Sequence, residues 1–88
     1  MSSTLDPRLV AVLTSNIPTG FRLLDEGDIM DTLFEAKRLR IRIPLDKLRR
    51  VSKPTAIERL LDLWLIKITP DGYVEPAITE TEWERILR

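Results

Sequence analysis

The side chains of this chain that are best suited to chemistry are nine cations crowded into its middle. Residues 36–59 contain these nine cations and only two carboxylates, so the segment has a net charge of +7. In the whole chain the 14 basic and 14 acidic residues cancel. The nine cations are Lys37, Arg38, Arg40, Arg42, Lys47, Arg49, Arg50, Lys53 and Arg59. A basic patch of this kind binds phosphates, which points to nucleic acid as a partner. The competing explanation is that a small domain balances these charges against acids on neighbouring elements.

Other kinds of chemistry lack the residues that they need. The chain has no cysteine and no histidine, so it has no disulfide, thiolate ligand, thiol nucleophile or imidazole base. Its carboxylates do not occur at the loop spacing of a Mg²⁺ or Ca²⁺ site, and no nucleophile–base pair can be assigned. We therefore predict a protein that is not an enzyme and that holds no metal and no cofactor.

The length and hydropathy of the chain limit the number of domains it can form and the compartments in which it can function. Eighty-eight residues are enough for one domain with one shared core, which we expect to extend over residues 1–88. No apolar run approaches the roughly 20 residues that span a bilayer, and the first residues lack the basic and apolar parts of a signal peptide. We expect a soluble, cytoplasmic protein with no membrane partner.

The first half of the chain is predicted to contain two helices and a strand. Aspartate and proline at positions 6 and 7 start a helix over about 7–15. The acidic run at 25–28 begins a second helix, and residues 21–24 before it form either a helical turn or an extended connector. Arginines alternate with aliphatic residues over 38–43, which predicts a short strand with the arginines on its solvated face.

Two helices with a turn between them follow. Leucine spacing predicts a short helix at 45–51, and serine and proline then mark the turn. The second helix is predicted over 55–64, with Thr55 and Glu58 as a capping box at its start. Its apolar face includes Trp64, which we expect to lie in the core.

A hairpin and a last helix complete the chain. Strands are predicted at 65–69 and 73–76, joined by a Pro-Asp-Gly turn, and a helix is predicted over about 80–88. An apolar face on so short a terminal helix must dock on its own domain or on a second copy, so a homodimer is one expectation. The candidate interface residues are Trp83, Ile86 and Leu87.

In this order of elements, the stretch PLDKLRRVSKPTAIERLLDLWLIKITPDGYVEP resembles the winged helix-turn-helix superfamily of regulators. The resemblance covers roughly residues 28–76, and the positions that carry it are Leu45, Leu48, Ser52, Thr55, Leu60, Leu65 and Ile66. Trp64 departs from the pattern because many members have a glycine there. The resemblance implies an α+β fold that is mainly α with a small β-hairpin, a winged helix-turn-helix with an extra N-terminal helix and a short C-terminal helix. It also implies a small DNA-binding transcriptional regulator.

In such a module the second helix of the pair enters the major groove of double-stranded DNA, while the wing and nearby cations hold phosphates. Arg59 is then the candidate for pairing with guanine, and Thr55 the candidate for reaching a base or a phosphate. The remaining candidates suit phosphate contacts. The DNA-binding set is Arg49, Arg50, Lys53, Thr55, Arg59, Arg40, Arg42, Lys67 and Tyr73.

Two other functions are compatible with the residues. A protein-binding winged-helix module, such as an adaptor, an assembly subunit or an inhibitor from a virus or mobile element, would explain the acids Asp71 and Glu75 on the wing and Asp62 on the second helix. A ribbon-helix-helix repressor would use Arg38, Arg40 and Arg42 on a strand lying in the major groove. The spacing to Pro54 is short for the first helix of that fold.

Overall fold

The computed structural model of the chain describes residues 6–14, 16–17 and 19–87. These residues form five helices and one three-stranded antiparallel sheet, which confirms the predicted mainly helical α+β class. The helices are α1 (Pro7–Thr14), α2 (Glu26–Arg38), α3 (Leu45–Val51), α4 (Ala56–Asp62) and α5 (Glu80–Leu87). The strands are β1 (Ile43–Pro44), β2 (Ile66–Ile68) and β3 (Tyr73–Pro76).

The sheet has the strand order β1-β3-β2, so the last strand lies in the middle. Ile43 is opposite Val74 on one side, and Lys67 is opposite Glu75 on the other. The predicted turn between β2 and β3 is confirmed, because the N–H of Gly72 donates to the carbonyl of Thr69 at 2.9 Å. Gly72 has φ +91°, a conformation that glycine adopts without the steric cost of a side chain.

One core is shared by all the helices and the inner face of the sheet. Its fully buried members include Leu9 of α1, Ile29 and Leu33 of α2, Leu48 of α3 and Leu60 of α4. The first helix therefore belongs to the domain itself and packs against α2 and α3. Position 15, the predicted last residue of this helix, lies outside the described residues, and so does position 88, the predicted last residue of the C-terminal helix.

Side chains cap three of the helices where the sequence predicted helix starts. The Asp6 carboxylate accepts from the N–H of Arg8 at 2.8 Å. Asp25 and Asp28 form a reciprocal capping box at the start of α2. Thr79 and Glu82 form another at α5, with bonds of 3.1 and 2.8 Å. These bonds satisfy N–H groups that the helix itself leaves without acceptors.

The prediction of a strand over residues 38–43 is wrong. Helix α2 continues through Arg38 and ends in a Schellman motif, in which the N–H of Ile41 donates to the carbonyl of Ala36 at 2.8 Å. Arg40 takes the left-handed position of that motif with φ +59°, and only two residues of strand follow. The arginine–aliphatic alternation therefore falls on a helix end and a turn. A ribbon-helix-helix fold would need a strand here.

The second helix of the pair is shorter than predicted, and its end explains a departure from the winged-helix pattern. It also closes with a Schellman motif, in which the N–H of Leu65 donates to the carbonyl of Leu60 at 3.0 Å. Trp64 has φ +61° at the position that glycine usually fills, and its side chain is 83% exposed. The expectation that Trp64 lies in the core is therefore wrong.

Candidate nucleic-acid interface

The turn between α3 and α4 is fixed by the connector that precedes α2. The N–H of Leu24 donates to the carbonyl of Val51 at 2.8 Å, and the N–H of Lys53 donates to the carbonyl of Leu24 at 2.9 Å. The buried hydroxyl of Ser52 donates to the carbonyl of Leu48 at 2.6 Å. The connector, for which the sequence left two conformations open, is thus extended at Leu24. It fixes the direction in which α4 leaves α3.

Helix α4 presents both signs of charge to solvent. Arg59 is exposed, and its guanidinium lies 3.5 Å from the Glu26 carboxylate at the start of α2 rather than near Asp62 of its own helix. Thr55 is exposed and its side chain makes no capping hydrogen bond, so the predicted capping box with Glu58 is wrong. The Thr55 hydroxyl has no part in the helix end and is available to a ligand.

The four cations around the turn divide into paired and unpaired ones. Arg49 of α3 donates to the Glu58 carboxylate of α4 at 2.7 Å, and this hydrogen bond lowers the pKa of Glu58. Arg59 has Glu26 as its partner. Arg50 and Lys53 are exposed, and among the described residues neither has a carboxylate within 4.0 Å. Phosphates would therefore meet two exposed cations at this turn that have no ion-pair partner among the described residues.

The other four DNA-binding candidates lie together on a different part of the surface. Arg40, Arg42, Lys67 and Tyr73 all line one cleft between the C-terminal end of α2 and the sheet. The Arg42 guanidinium lies 3.8 Å from the centre of the Tyr73 ring and 3.1 Å from the Asp71 carboxylate. Lys67 lies 3.9 Å from the Glu75 carboxylate on the next strand.

The length of α2 separates these two groups of candidates. Arg59 is beside Glu26 at its first residue, and Lys53 is close enough to Asp25 for its charge to act there. The pKa of the Asp25 carboxyl is lowered first by the hydrogen bond from the backbone N–H of Asp28, and further by the charge of Lys53. Lys37 lines the cleft in the last turn of α2. At 1.5 Å per residue Glu26 and Lys37 are about 16 Å apart along the axis of α2.

Two features of the surface are not among the features predicted from the sequence. The first is Lys37, a further cation of the cleft, which was counted in the basic segment but assigned no role. The second is an exposed apolar pair at the end of α4, where Leu63 is 64% and Trp64 83% exposed. The departure of Trp64 from the glycine of the winged-helix pattern was the available signal, because a residue at the glycine position of a Schellman motif lies beyond the last helical residue and need not share the buried face of the helix.

The predicted interface on α5 is only partly exposed. Trp83 is 6% exposed and packs into the domain's own core, so it is not part of an exposed interface in this structure. Ile86 and Leu87 are 56% and 63% exposed, so their assignment to an interface stays a prediction.

The described residues contain no group of three or more carboxylate, thiolate or imidazole side chains that could hold a metal ion. Within the same part of the chain, no helix has the length and apolar character that crossing a bilayer requires. The chain matches no protein-family model, no curated protein sequence and no solved structure.

Proposed function

We propose that this protein is a small DNA-binding regulator of transcription in which α3 and α4 are the helix-turn-helix and β2 and β3 form the wing. The observation that carries the proposal is a pair of exposed cations, Arg50 and Lys53, at the fixed turn between these helices, neither of which has a carboxylate within 4.0 Å in the part of the chain that the structure describes. The order of elements from α2 to β3 supports it because the winged helix-turn-helix resemblance implies this order along the chain. A cytoplasmic location, in a cell whose DNA lies in the cytoplasm, is part of the proposal.

The carboxylates near the turn would limit non-specific binding. Glu58 neutralises Arg49 and Glu26 faces Arg59, so two of the four cations must exchange a protein partner for a phosphate or a base. Exposed ion pairs contribute only about 0–1 kcal/mol each, and a bidentate contact to guanine discriminates by about 1–3 kcal/mol. A correct site could therefore open the Arg59 pair, while random DNA would be held mainly by Arg50 and Lys53.

Binding to a random-sequence duplex over a salt series tests the proposal. We expect Arg50→Ala and Lys53→Ala each to weaken binding and to reduce the slope of log affinity against log salt by about one. The matched control is Arg85→Ala, which removes the same charge from α5. Glu58→Gln should strengthen non-specific binding because it frees Arg49. Equal affinities in all four variants, or no binding at low salt, would refute the proposal.

A selected DNA sequence allows a second experiment, which tests base recognition. After site selection, Arg59→Ala should lower the preference for the selected sequence over random DNA and leave the random-DNA affinity nearly unchanged. Loss of both affinities by the same factor would assign Arg59 to phosphate binding and not to base recognition.

Binding to another protein is the second candidate function, and the exposed Leu63–Trp64 pair favours it. Tryptophan is enriched among the residues that dominate binding energy at protein interfaces. Here it is kept exposed in a left-handed conformation that costs an L-residue about 1–2 kcal/mol. A strained, exposed aromatic residue of this kind suggests a binding role.

Sedimentation of the purified chain tests the simplest form of this candidate, self-association into a homodimer. Trp64→Gly should abolish the association without unfolding the monomer, because glycine suits φ +61°. Ile86→Ser on α5 provides the comparison for an interface at the C-terminal helix. A monomer at all concentrations would restrict the candidate to a different protein.

A further inference from the structure

The cleft at the C-terminal end of α2 has the size of a small-molecule site. Its volume is about 410 Å³, within the range of about 300–1,000 Å³ that ligand pockets usually have. Its apolar lining includes three half-buried residues, Ile41, Tyr73 and Pro76, and behind them four buried residues of α2 and the sheet, Leu33, Ala36, Ile43 and Val74. Such a lining can cover the flat or apolar part of a ligand.

The polar lining of the cleft is strongly one-sided. Four cations, Lys37, Arg40, Arg42 and Lys67, share it with one carboxylate, Glu75. Like charges gathered around a concave surface repel each other and attract anions. The whole chain is neutral, so this excess of three positive charges is a local concentration and not a general property of the surface.

Internal partners account for only part of this excess. Arg42 is held by Asp71 outside the cleft, and Lys67 faces Glu75 at 3.9 Å. In the part of the chain that the structure describes, Lys37 and Arg40 have no carboxylate within 4.0 Å. The end of α2 supplies the equivalent of about half a negative charge, which is too little to balance two further cations.

The conformation of Arg40 indicates that its side chain has a role. It occupies the left-handed position of the Schellman motif with φ +59°, where glycine would avoid a cost of about 1–2 kcal/mol. The helix end is closed by backbone hydrogen bonds, from Arg40 to Lys37 and from Ile41 to Ala36, and these do not need the guanidinium. Arg40 also lines the cleft, and its exposed side chain has no carboxylate partner among the described residues.

From these observations we propose that the cleft binds a nucleotide, with its phosphates at Lys37 and Arg40 and its base on the apolar lining. Arginine and lysine together suit a phosphate, because arginine offers paired donors and lysine a compact charge. This site is independent of DNA binding at the α3–α4 turn. The same phosphate chemistry could also be supplied by the DNA backbone, so the experiment must separate the two sources.

Titration of the folded chain with ATP, followed by backbone amide NMR and calorimetry, tests the proposal. We expect saturable binding, with shifted resonances at the end of α2 and in β2 and β3. Lys37→Ala combined with Arg40→Gly should weaken binding at least tenfold. Arg40→Gly removes the charge and suits the local backbone, and Arg40→Lys should retain most of the affinity. The matched control, Arg50→Ala with Lys53→Ala, should change the affinity less than twofold.

Three probes identify what is recognised. Adenosine should bind far more weakly than ATP, because it lacks phosphates. Pyrophosphate should also bind more weakly, because it lacks a base, and equal affinities for pyrophosphate and ATP would overturn the nucleotide assignment. Absence of ATP binding at millimolar concentration would overturn the site itself.

The DNA source is tested with the same cleft variant. If Lys37→Ala with Arg40→Gly reduces duplex binding as much as the variant at the α3–α4 turn does, the cleft belongs to the DNA footprint and the proposal fails. Unchanged duplex binding together with lost ATP binding would support it. If the turn variant keeps full duplex affinity, the proposed DNA function fails while the nucleotide site stands.

Discussion

Replacing Trp64 by glycine and by alanine measures the strain at the end of α4. Trp64 has φ +61° and is 83% exposed. About one sixth of its surface is covered, or some 40 Å² of the roughly 250 Å² of a large aromatic side chain. At about 25 cal/mol per Å², its removal costs at most about 1 kcal/mol. Both substitutions lose this contact equally, so their difference isolates the backbone.

The difference follows from two opposing terms. Alanine in the left-handed region costs about 1–2 kcal/mol, which glycine avoids, and glycine costs about 0.5–1 kcal/mol more in chain entropy. We therefore expect Trp64→Gly to exceed Trp64→Ala in the free energy of unfolding by about 0.5–1 kcal/mol. For a domain of this size that corresponds to about 2–8 °C in Tm. Trp64→Gly itself should lie near the parent chain.

Thermal and urea unfolding, followed by circular dichroism at several protein concentrations, is the assay. Arg40→Gly and Arg40→Ala provide an internal replicate, because Arg40 has the same role at the end of α2. Equal stability of the glycine and alanine variants would refute the left-handed assignment. A loss above about 3 kcal/mol in both would show that Trp64 is buried in solution, and a concentration dependence would identify a second copy as the cover.

Three further expectations concern the fold. Leu24→Ala should lower the free energy of unfolding in urea by about 2–5 kcal/mol, because Leu24 is fully buried beside the α3–α4 turn, and a loss below 1 kcal/mol would contradict this packing. Asp25→Ala should cost about 1 kcal/mol at pH 7, whereas Asp25→Asn, which can still cap, should cost less. Because the pKa of Asp25 is lowered in the folded state, its stabilisation is present above the ordinary value of 3.8 and is lost as pH falls below it, so the gap between the parent and Asp25→Ala should narrow in acid. Acrylamide should quench the fluorescence of Trp83→Phe, which keeps the exposed Trp64, far more than that of Trp64→Gly, which keeps the buried Trp83. Similar quenching of the two would contradict the assigned exposures.

Elements with local signals were predictable from the sequence. The hairpin around Gly72 and the helix starts at Asp6, Asp25 and Thr79 depend on residues within three positions of each other, and all are present. The strand over 38–43 failed because an alternating pattern cannot be told from a helix end followed by a turn. The backbone hydrogen bond from Ile41 to Ala36 decides between them, and side-chain types do not reveal it.

The candidate site was predictable in its charges but not in its pairing. The cations of the basic segment are neighbours in the sequence, but in the structure they lie near the two ends of α2. Several of them form ion pairs with acids from distant parts of the chain. Glu26 lies beside Arg59 because α2 and α4 pack together, and Asp71 lies beside Arg42 because the hairpin turn reaches β1. Contacts of this kind follow from tertiary packing, which spacing along the chain does not encode.

The thirteen residues of α2 also set how strongly the two cationic regions can influence each other. Two unit charges about 16 Å apart interact by about 0.3 kcal/mol in water before screening. At physiological ionic strength the screening length is about 8 Å, so this interaction falls to a small fraction of that value. At about 0.01 M salt the length grows to about 30 Å, and an anion at one end of the helix would then disfavour an anion at the other. Ionic strength would thus set how strongly anion binding at one end of α2 affects anion binding at the other. The two binding events would weaken each other slightly in dilute buffer and would be independent at physiological salt.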